Sequence, residues 1–210
     1  MADEVGGLNA QAAPDPQELI IEAAERLLAT DGPQKATVRA ITEAAGVNVA
    51  AVNYHFGSRD GLMTVICARH MRPANNRILE RLQQVDRAQG IVSVKAIFAP
   101  LVSTALTVWM HDDVLKGLRD FIFVDAELVQ KLNVTEMSDV YQQMQDALAE
   151  ACPALAPEQV RRRFSFAMAT IMQVVRSHEF KRAPDEAGLI EELLTYVAGG
   201  FAADTGEEER

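Results

Sequence analysis

The sequence has few of the residues and patterns that mark secreted, membrane-bound or metal-dependent proteins. It contains two cysteines, Cys67 and Cys152, so at most one disulfide could form, and their spacing is not that of metal ligands. No stretch approaches the roughly 18 consecutive apolar residues of a transmembrane helix. Asp3 and Glu4 stand where a secretory signal would carry positive charge, and no apolar run follows them. We therefore expect a cytoplasmic protein with reduced cysteines and no membrane segment.

Sequence motifs of common enzyme classes are also missing. The sequence contains no Gly-x-Ser-x-Gly, no phosphate-binding loop and no His-Glu-x-x-His. His70 and His111 have no metal-ligating partners at helical spacing. These observations favour a protein that is not an enzyme and that has no cofactor and no metal site.

Positive charge is scarce, since 20 basic residues face 30 acidic ones and the net charge is −10. Taken alone, this value argues against nucleic-acid binding. The first 90 residues, however, hold nine basic and eleven acidic groups, whereas residues 91–210 hold eleven and nineteen, including Glu207, Glu208 and Glu209. The N-terminal part can therefore still present a locally basic surface, and the net charge does not exclude a DNA-binding function.

The sequence has the composition of a globular protein, with 49% apolar and 24% charged residues. Its apolar residues recur at helical spacing. Asp15 is a predicted N-cap, Pro16 suits the first helical position and Glu18 would complete a capping box. An apolar stripe then runs from Ile20 to Leu28 and ends at Gly32. No alternating strand pattern is present, so the predicted fold is all-α.

Further helix starts and breaks divide the chain. Thr37, Asn48 and Ser58 are predicted to cap three more helices, and Pro73 is expected to interrupt the fourth helix, 58–72. Later helices are expected at 91–110, 113–131, 134–151, 157–178 and 186–203. The expected organisation is a disordered arm (1–14), a three-helix module (15–60), a larger helical domain (61–203) and an acidic tail (204–210).

The most informative stretch is Thr37 to Arg59, TVRAITEAAGVNVAAVNYHFGSR. It predicts two short helices joined by a tight turn in which Gly46 takes the left-handed conformation. One side of the second helix is small and apolar, and the other carries polar groups such as Asn53 and Tyr54. A DNA recognition helix has these properties, although three short helices of an ordinary bundle are the alternative interpretation.

This stretch ends in Val-Asn-Tyr-His-Phe-Gly-Ser-Arg and resembles the TetR family of transcriptional repressors over residues 16–66. The resemblance implies a homodimeric regulator that is released from an inverted-repeat operator in double-stranded DNA by a small ligand. It implies base contacts or phosphate contacts for Thr37, Arg39, Asn48, Val49, Ala50, Asn53, Tyr54, His55 and Arg59. Phe56 is expected to be a core residue.

Three features depart from the family pattern. Thr42 stands where such turns usually carry alanine, which predicts slightly different helix packing. Gly61 follows Asp60 in place of an acidic pair and should weaken the start of the fourth helix. Val49 and Ala50 cannot form bidentate contacts with bases, so DNA shape and thymine methyl groups should contribute to recognition.

For the C-terminal domain, the resemblance implies a ligand pocket and a dimer surface formed by about 157–178 and 186–203. The pocket candidates are Phe98, Trp109, Arg119, Phe121, Phe123, Met144, Phe166, Met172 and Arg176. Core packing is the alternative for each apolar one, and His178 is a further candidate for binding an acidic head group. Arg161, Arg162 and Arg163 are expected either to meet Glu191 and Glu192 or to form a solvated surface cluster.

The nature of the effector is the least defined expectation. The apolar candidates suit an apolar or amphipathic ligand, and analogy suggests a fatty acid or an acyl thioester. Two other functions stay open at this point, a helical protein-binding adaptor and a regulator without a small-molecule effector.

Overall fold

The computed structural model describes residues 15–85, 91–124, 132, 135–177 and 185–202, and within these ranges it contains α-helices and no strands. The expected all-α fold is confirmed. The predicted arm (1–14) and acidic tail (204–210) lie outside the described residues. The nine helices found there are α1 (Pro16–Asp31), α2 (Val38–Ala45), α3 (Ala50–Phe56), α4 (Arg59–Leu82), α5 (Ile91–His111), α6 (Asp113–Val124), α7 (Ser138–Ala151), α8 (Pro157–Arg176) and α9 (Glu186–Ala202).

Local capping signals define the starts of the N-terminal helices. Asp15, Thr37 and Ser58 each accept a hydrogen bond from a backbone N–H of the first turn, at 3.0, 3.2 and 3.0 Å. The predicted capping box at Glu18 is wrong, because this carboxylate accepts a hydrogen bond from Arg69 of α4. Glu18 therefore contributes to helix packing and not to helix initiation.

Helix α4 is continuous from Arg59 to Leu82, so the expected break at Pro73 is also wrong. Proline lacks the backbone N–H of the helical hydrogen bond, yet residues on both sides of it are buried. Cys67 and Ala68 precede Pro73, and Ala74 and Ile78 follow it. Packing on both sides of the proline therefore keeps the helix intact.

The remaining helix boundaries agree with the expected ones apart from two regions. Helix α7 begins at Ser138, four residues later than expected. Helix α6 ends at Val124 within the described residues, and the rest of the predicted helix 113–131 lies outside them.

One continuous hydrophobic core joins the N-terminal helices to the C-terminal bundle. Helix α1 packs against α2 and α6, and α9 packs against α5 and α8. Gly117 lets α6 approach α1, because a Cβ atom there would lie 2.3 Å from the carbonyl oxygen of Leu28. The N-terminal module is thus held directly against the bundle. Of the helices described, none combines the length and the apolar character needed to cross a membrane.

A polar bridge around His70 of α4 strengthens this junction. Nδ1 of His70 lies 2.7 Å from Oδ2 of Asp112, and Nε2 lies 3.2 Å from Oε1 of Glu25 in α1. Asp112 also caps α6 by accepting a 2.9 Å hydrogen bond from the N–H of Leu115. Helices α1, α4 and α6 are therefore linked by side-chain hydrogen bonds as well as by apolar packing.

Candidate DNA-binding surface and ligand cavity

Helices α2 and α3 form the predicted helix-turn-helix. Gly46 ends α2 with φ at 67°, the left-handed conformation expected from the sequence. Oδ1 of Asn48 accepts a 2.8 Å hydrogen bond from the N–H of Ala50 and so caps α3, as expected. Val52 is fully buried and anchors α3 on the core. The short helix is therefore held at a defined angle by one buried face.

The opposite face of α3 is open to solvent. The side chain of Tyr54 is 85% exposed, and that of Val49 is 54% exposed. The ring of Tyr54 meets the half-buried ring of His55 edge to face, with 5.0 Å between the ring centroids. The other exposed residues of the predicted DNA-binding set are Thr37, Arg39, Asn48, Ala50 and Asn53.

Arg59 is the exception in that set, since its guanidinium binds the protein itself. Nε donates to the carbonyl oxygen of Ala36 at 2.9 Å, and Nη2 donates to that of Pro33 at 2.5 Å. Only 28% of the side chain is exposed. Arg59 thus ties the start of α4 to the α1–α2 connection, which differs from the expected phosphate contact.

The unusual residues of this module have local explanations. The hydroxyl of Thr42 is buried and donates to the carbonyl oxygens of Val38 and Arg39, at 2.9 and 3.1 Å, so it is satisfied within α2. A Cβ atom at Gly61 would lie 2.1 Å from the carbonyl oxygen of Phe56. The tight connection between α3 and α4 therefore requires glycine at this position.

The C-terminal bundle contains a cavity of about 790 Å³ between α4, α5, α7 and α8, and several of its lining residues on α8 are exposed to solvent. Its size is in the range of small-molecule sites. Residues lining the cavity are Met71, Ala74, Asn75, Ile78, Leu101, Thr104, Ala105, Val108, Trp109, Leu132, Met137, Tyr141, Gln145, Arg161, Phe164, Ser165, Met168, Ala169, Met172 and Gln173.

The structure separates the predicted pocket residues into groups. Trp109 and Met172 line the cavity. Phe98 and Met144 are fully buried in the core and do not line it. Phe166 is exposed on the outside of α8. The side chains of Arg119, Phe121, Phe123 and Arg176, and residue His178, lie outside what the structure describes.

Sequence reasoning missed several lining residues, although a signal for them exists. Arg161, Ser165, Met168 and Met172 share one face of α8, because they are spaced by three or four residues. Met172 is a predicted pocket residue, and the other three precede it on α8 at helical spacing. The lining residues on α4, such as Asn75, have no comparable signal.

Charge in the cavity lining is sparse and of one sign. Among the lining residues that the structure describes, Arg161 is the one charged residue and none is a carboxylate. Its neighbour Arg163 instead donates to the carbonyl oxygens of Gly200 and Phe201, at 3.0 and 2.9 Å, at the end of α9. Glu191 pairs with Lys95 of α5 and not with the arginines.

A helix-turn-helix with an exposed second helix, joined to a helical bundle, is the architecture of a DNA-binding transcriptional regulator. Comparison with family models agrees with this assignment. Residues 20–66 match the family described as bacterial regulatory proteins, tetR family, and residues 121–200 match the tetracyclin repressor-like C-terminal domain. The chain belongs to the TetR family of transcriptional regulators.

Solved structures share the fold at low sequence identity. A TetR-family transcriptional regulator from Streptomyces coelicolor is 18% identical, with a TM-score of 0.58, over 90% of this chain and 98% of its own. NalD, the secondary repressor of the MexAB-OprM multidrug efflux pump in Pseudomonas aeruginosa, is 19% identical, with a TM-score of 0.57, over 88% and 96%. Multidrug binding protein EbrR, complexed with imidazole, is 18% identical, with a TM-score of 0.50, over 88% and 96%. A search of curated proteins gives no match.

Proposed function

We propose that this chain is a transcriptional repressor that binds an inverted-repeat operator as a homodimer and leaves it when a small ligand fills the cavity. The observation that carries this proposal is the exposed face of α3 around Tyr54, on a helix anchored by Val52. Regulators of this family bind operator DNA, typically as dimers. The repressor and the drug-binding protein with the same fold support a ligand-responsive function.

The N-terminal module, 15–60, supplies the DNA contacts in this proposal. Residues 47–56 enter the major groove, where Asn48, Val49 and Ala50 face base edges. Thr37, Arg39, Asn53, Tyr54 and His55 contact phosphates or nearby bases. Arg59 acts indirectly, because its hydrogen bonds to Ala36 and Pro33 hold α4 against the module.

The dimer surface is formed by the outer faces of α8 and α9. The side chain of Phe166 is 64% exposed and that of Tyr196 is 71% exposed, and both line a shallow groove between the two helices. Large exposed aromatic side chains at one place favour a protein–protein contact. Open space surrounds Gly199 and Gly200, so a partner helix can approach α9 closely.

Helix α4 connects the cavity to the DNA-binding module. Its first half packs Leu62 and Ile66 against the N-terminal helices, and its second half presents Asn75 and Ile78 to the cavity. A ligand that binds more tightly when α4 is in one position increases the population of that position. Because α4 carries the DNA-binding module, the distance between the two recognition helices of the dimer then changes. By linkage, operator DNA then weakens ligand binding by the same factor.

Three further proposals follow from the family assignment. The chain acts in the cytoplasm, it is a regulator and not an enzyme, and residues 61–203 form the effector and dimerisation domain, with α4 shared between the two units. A protein-binding adaptor is the competing function. Binding to DNA from upstream of the chain's own gene, compared with random DNA of equal length, distinguishes the two.

The proposal is tested by footprinting and by fluorescence anisotropy with Tyr54→Ala and Tyr54→Phe. We expect protection of two inverted half-sites about 34–36 Å apart, or a multiple of that distance. Tyr54→Ala should lose about 1.5–3 kcal/mol of binding free energy per lost contact to a charged phosphate. Tyr54→Phe separates the contribution of the hydroxyl from that of the ring.

The control is the fold of the same variants. Because Tyr54 is almost fully exposed, both variants should keep the circular dichroism spectrum of the parent. Their free energies of unfolding should lie within about 0.5 kcal/mol of the parent value. A footprint without two-fold symmetry, or full operator affinity in Tyr54→Ala, contradicts the proposed DNA-binding mode.

A further inference from the structure

The arrangement of polar groups in the cavity indicates which chemical class of ligand it accepts. Acidic residues outnumber basic ones by 30 to 20 in this chain, yet the described lining residues include one arginine and no carboxylate. A cationic ligand would find no counter-charge among these residues, whereas an anion would find a guanidinium, which binds carboxylate and phosphate in a fixed geometry.

The charged lining residue lies at one end of the cavity together with a carboxamide. Helices α7 and α8 are joined by the short connection 152–156 and pack against each other, and the rings of Tyr141 and Phe164 meet at 5.4 Å between centroids. One turn from these rings towards the connection lie Gln145 on α7 and Arg161 on α8. The guanidinium and the carboxamide therefore flank the same end.

These two side chains are available to a ligand. Neither Arg161 nor Gln145 forms a side-chain hydrogen bond or an ion pair with any residue that the structure describes. In the same run of arginines, Arg163 is committed to two backbone carbonyl oxygens.

Away from Arg161 the cavity is elongated and most of its lining residues are apolar, although Gln173 on α8 is polar. From Arg161 the lining continues along α8 through Met168 to Met172, and the opposite wall includes Trp109 of α5. Residues 161 and 173 are separated by about 18 Å at 1.5 Å per residue. Methionine and aromatic side chains adapt to an apolar body of variable shape.

On the basis of the proposed function, we propose that the effector is an amphipathic organic anion. Its acidic group lies at Arg161 and Gln145, and its elongated apolar body lies against Met168 and Trp109. The cavity thereby selects against neutral and cationic molecules of the same shape.

The test uses the full chain and two series of matched probes. The alkyl series is dodecanoate, dodecanol and dodecylammonium, and the aromatic series is phenylbutyrate, phenylbutanol and phenylbutylammonium. Trp109 is the single tryptophan of the chain and lines the cavity, so its fluorescence reports binding. Each titration is repeated in Arg161→Gln and in the control Arg162→Gln. Both arginines are exposed, and Arg162 does not line the cavity.

We expect the anion of at least one series to bind about tenfold more tightly than its neutral and cationic partners. Arg161→Gln should remove this preference and leave the affinity for the neutral probe unchanged, and Arg162→Gln should preserve the preference. The proposal is overturned if no anion binds more tightly than its partners, or if Arg161→Gln weakens all probes of a series equally.

Operator anisotropy in the same titrations separates this inference from the proposed function. If the anion binds through Arg161 but the operator affinity stays constant, the ligand class holds and the ligand-release function fails. If a neutral or cationic probe binds best and releases the operator, the ligand-release function holds and the inference about the anion fails.

Discussion

Two arginines of the N-terminal module, Arg59 and Arg39, have different surroundings. Arg59 places its guanidinium on two backbone carbonyl oxygens and is largely buried. Arg39 on α2 is exposed and has no ion pair with any described residue. We therefore expect their substitution to change different measurements.

Arg59→Ala should lower the free energy of unfolding by about 1–3 kcal/mol, because it leaves two partly buried carbonyl oxygens without their donors. Arg39→Gln should leave that free energy within about 0.5 kcal/mol of the parent. Urea unfolding followed by circular dichroism measures both values. A stable Arg59→Ala variant that fails to bind operator would instead support a direct phosphate contact.

Arg39→Gln should change the salt dependence of operator binding. Each phosphate contact by a cation contributes a slope of about −0.9 in a plot of log affinity against log salt concentration. Removing one contact per protomer should therefore make the slope of the dimer less negative by about two. Operator anisotropy at several salt concentrations measures this slope, and an unchanged slope would remove Arg39 from the phosphate contacts.

At the scale of elements, the junction between α1 and α6 depends on a residue without a side chain. The backbone of Leu28 lies where a Cβ atom of Gly117 would be. The bridge from His70 to Glu25 and Asp112 crosses the same junction. The position of the DNA-binding module relative to the bundle is thus determined by close packing and by hydrogen bonds together.

Gly117→Ala should lower the free energy of unfolding by about 1–3 kcal/mol, because the added methyl group forces α1 and α6 apart. Alanine favours helix by about 1 kcal/mol over glycine, which offsets only part of this loss. Urea unfolding followed by circular dichroism measures this free energy. A Gly117→Ala variant that is more stable than the parent would show that the junction tolerates a side chain.

At the scale of the whole molecule, large apolar side chains are exposed on two surfaces, one in the N-terminal module and one in the C-terminal bundle. Val49 and Tyr54 lie on α3, and Phe166 and Tyr196 lie on α8 and α9. Water contact at such side chains is unfavourable unless a partner covers them. DNA is the proposed partner of the first surface, and a second copy of the chain is that of the other.

Phe166→Glu should convert the dimer into a monomer, because two carboxylates would be buried at a contact that is apolar in the parent. Analytical ultracentrifugation measures the molecular mass. Operator affinity should fall because the dimer is lost. Ligand binding in the cavity should persist, since Phe166 does not line the cavity. Ala29→Glu places the same charge on the exposed face of α1 and should remain dimeric. A dimeric Phe166→Glu variant would contradict the proposed interface.

The sequence alone determined the features that depend on neighbours a few residues apart. Asp15, Thr37 and Ser58 act on the N–H groups of the following turn, and Gly46 acts on its own backbone dihedral angles. The helix-turn-helix could therefore be predicted from residue type and spacing. The family resemblance added the expected contacts, which remain predictions for the experiments above.

The tertiary structure alone decided the features that depend on contacts between distant residues. The guanidinium of Arg59 binds carbonyl oxygens 23 and 26 positions away, and α4 continues through Pro73 because other helices pack on both halves. Phe98 and Trp109 look equivalent in sequence, yet one is core and the other lines the cavity. Helical periodicity identifies which face of a helix is buried, but the element opposite that face is set only when the chain folds.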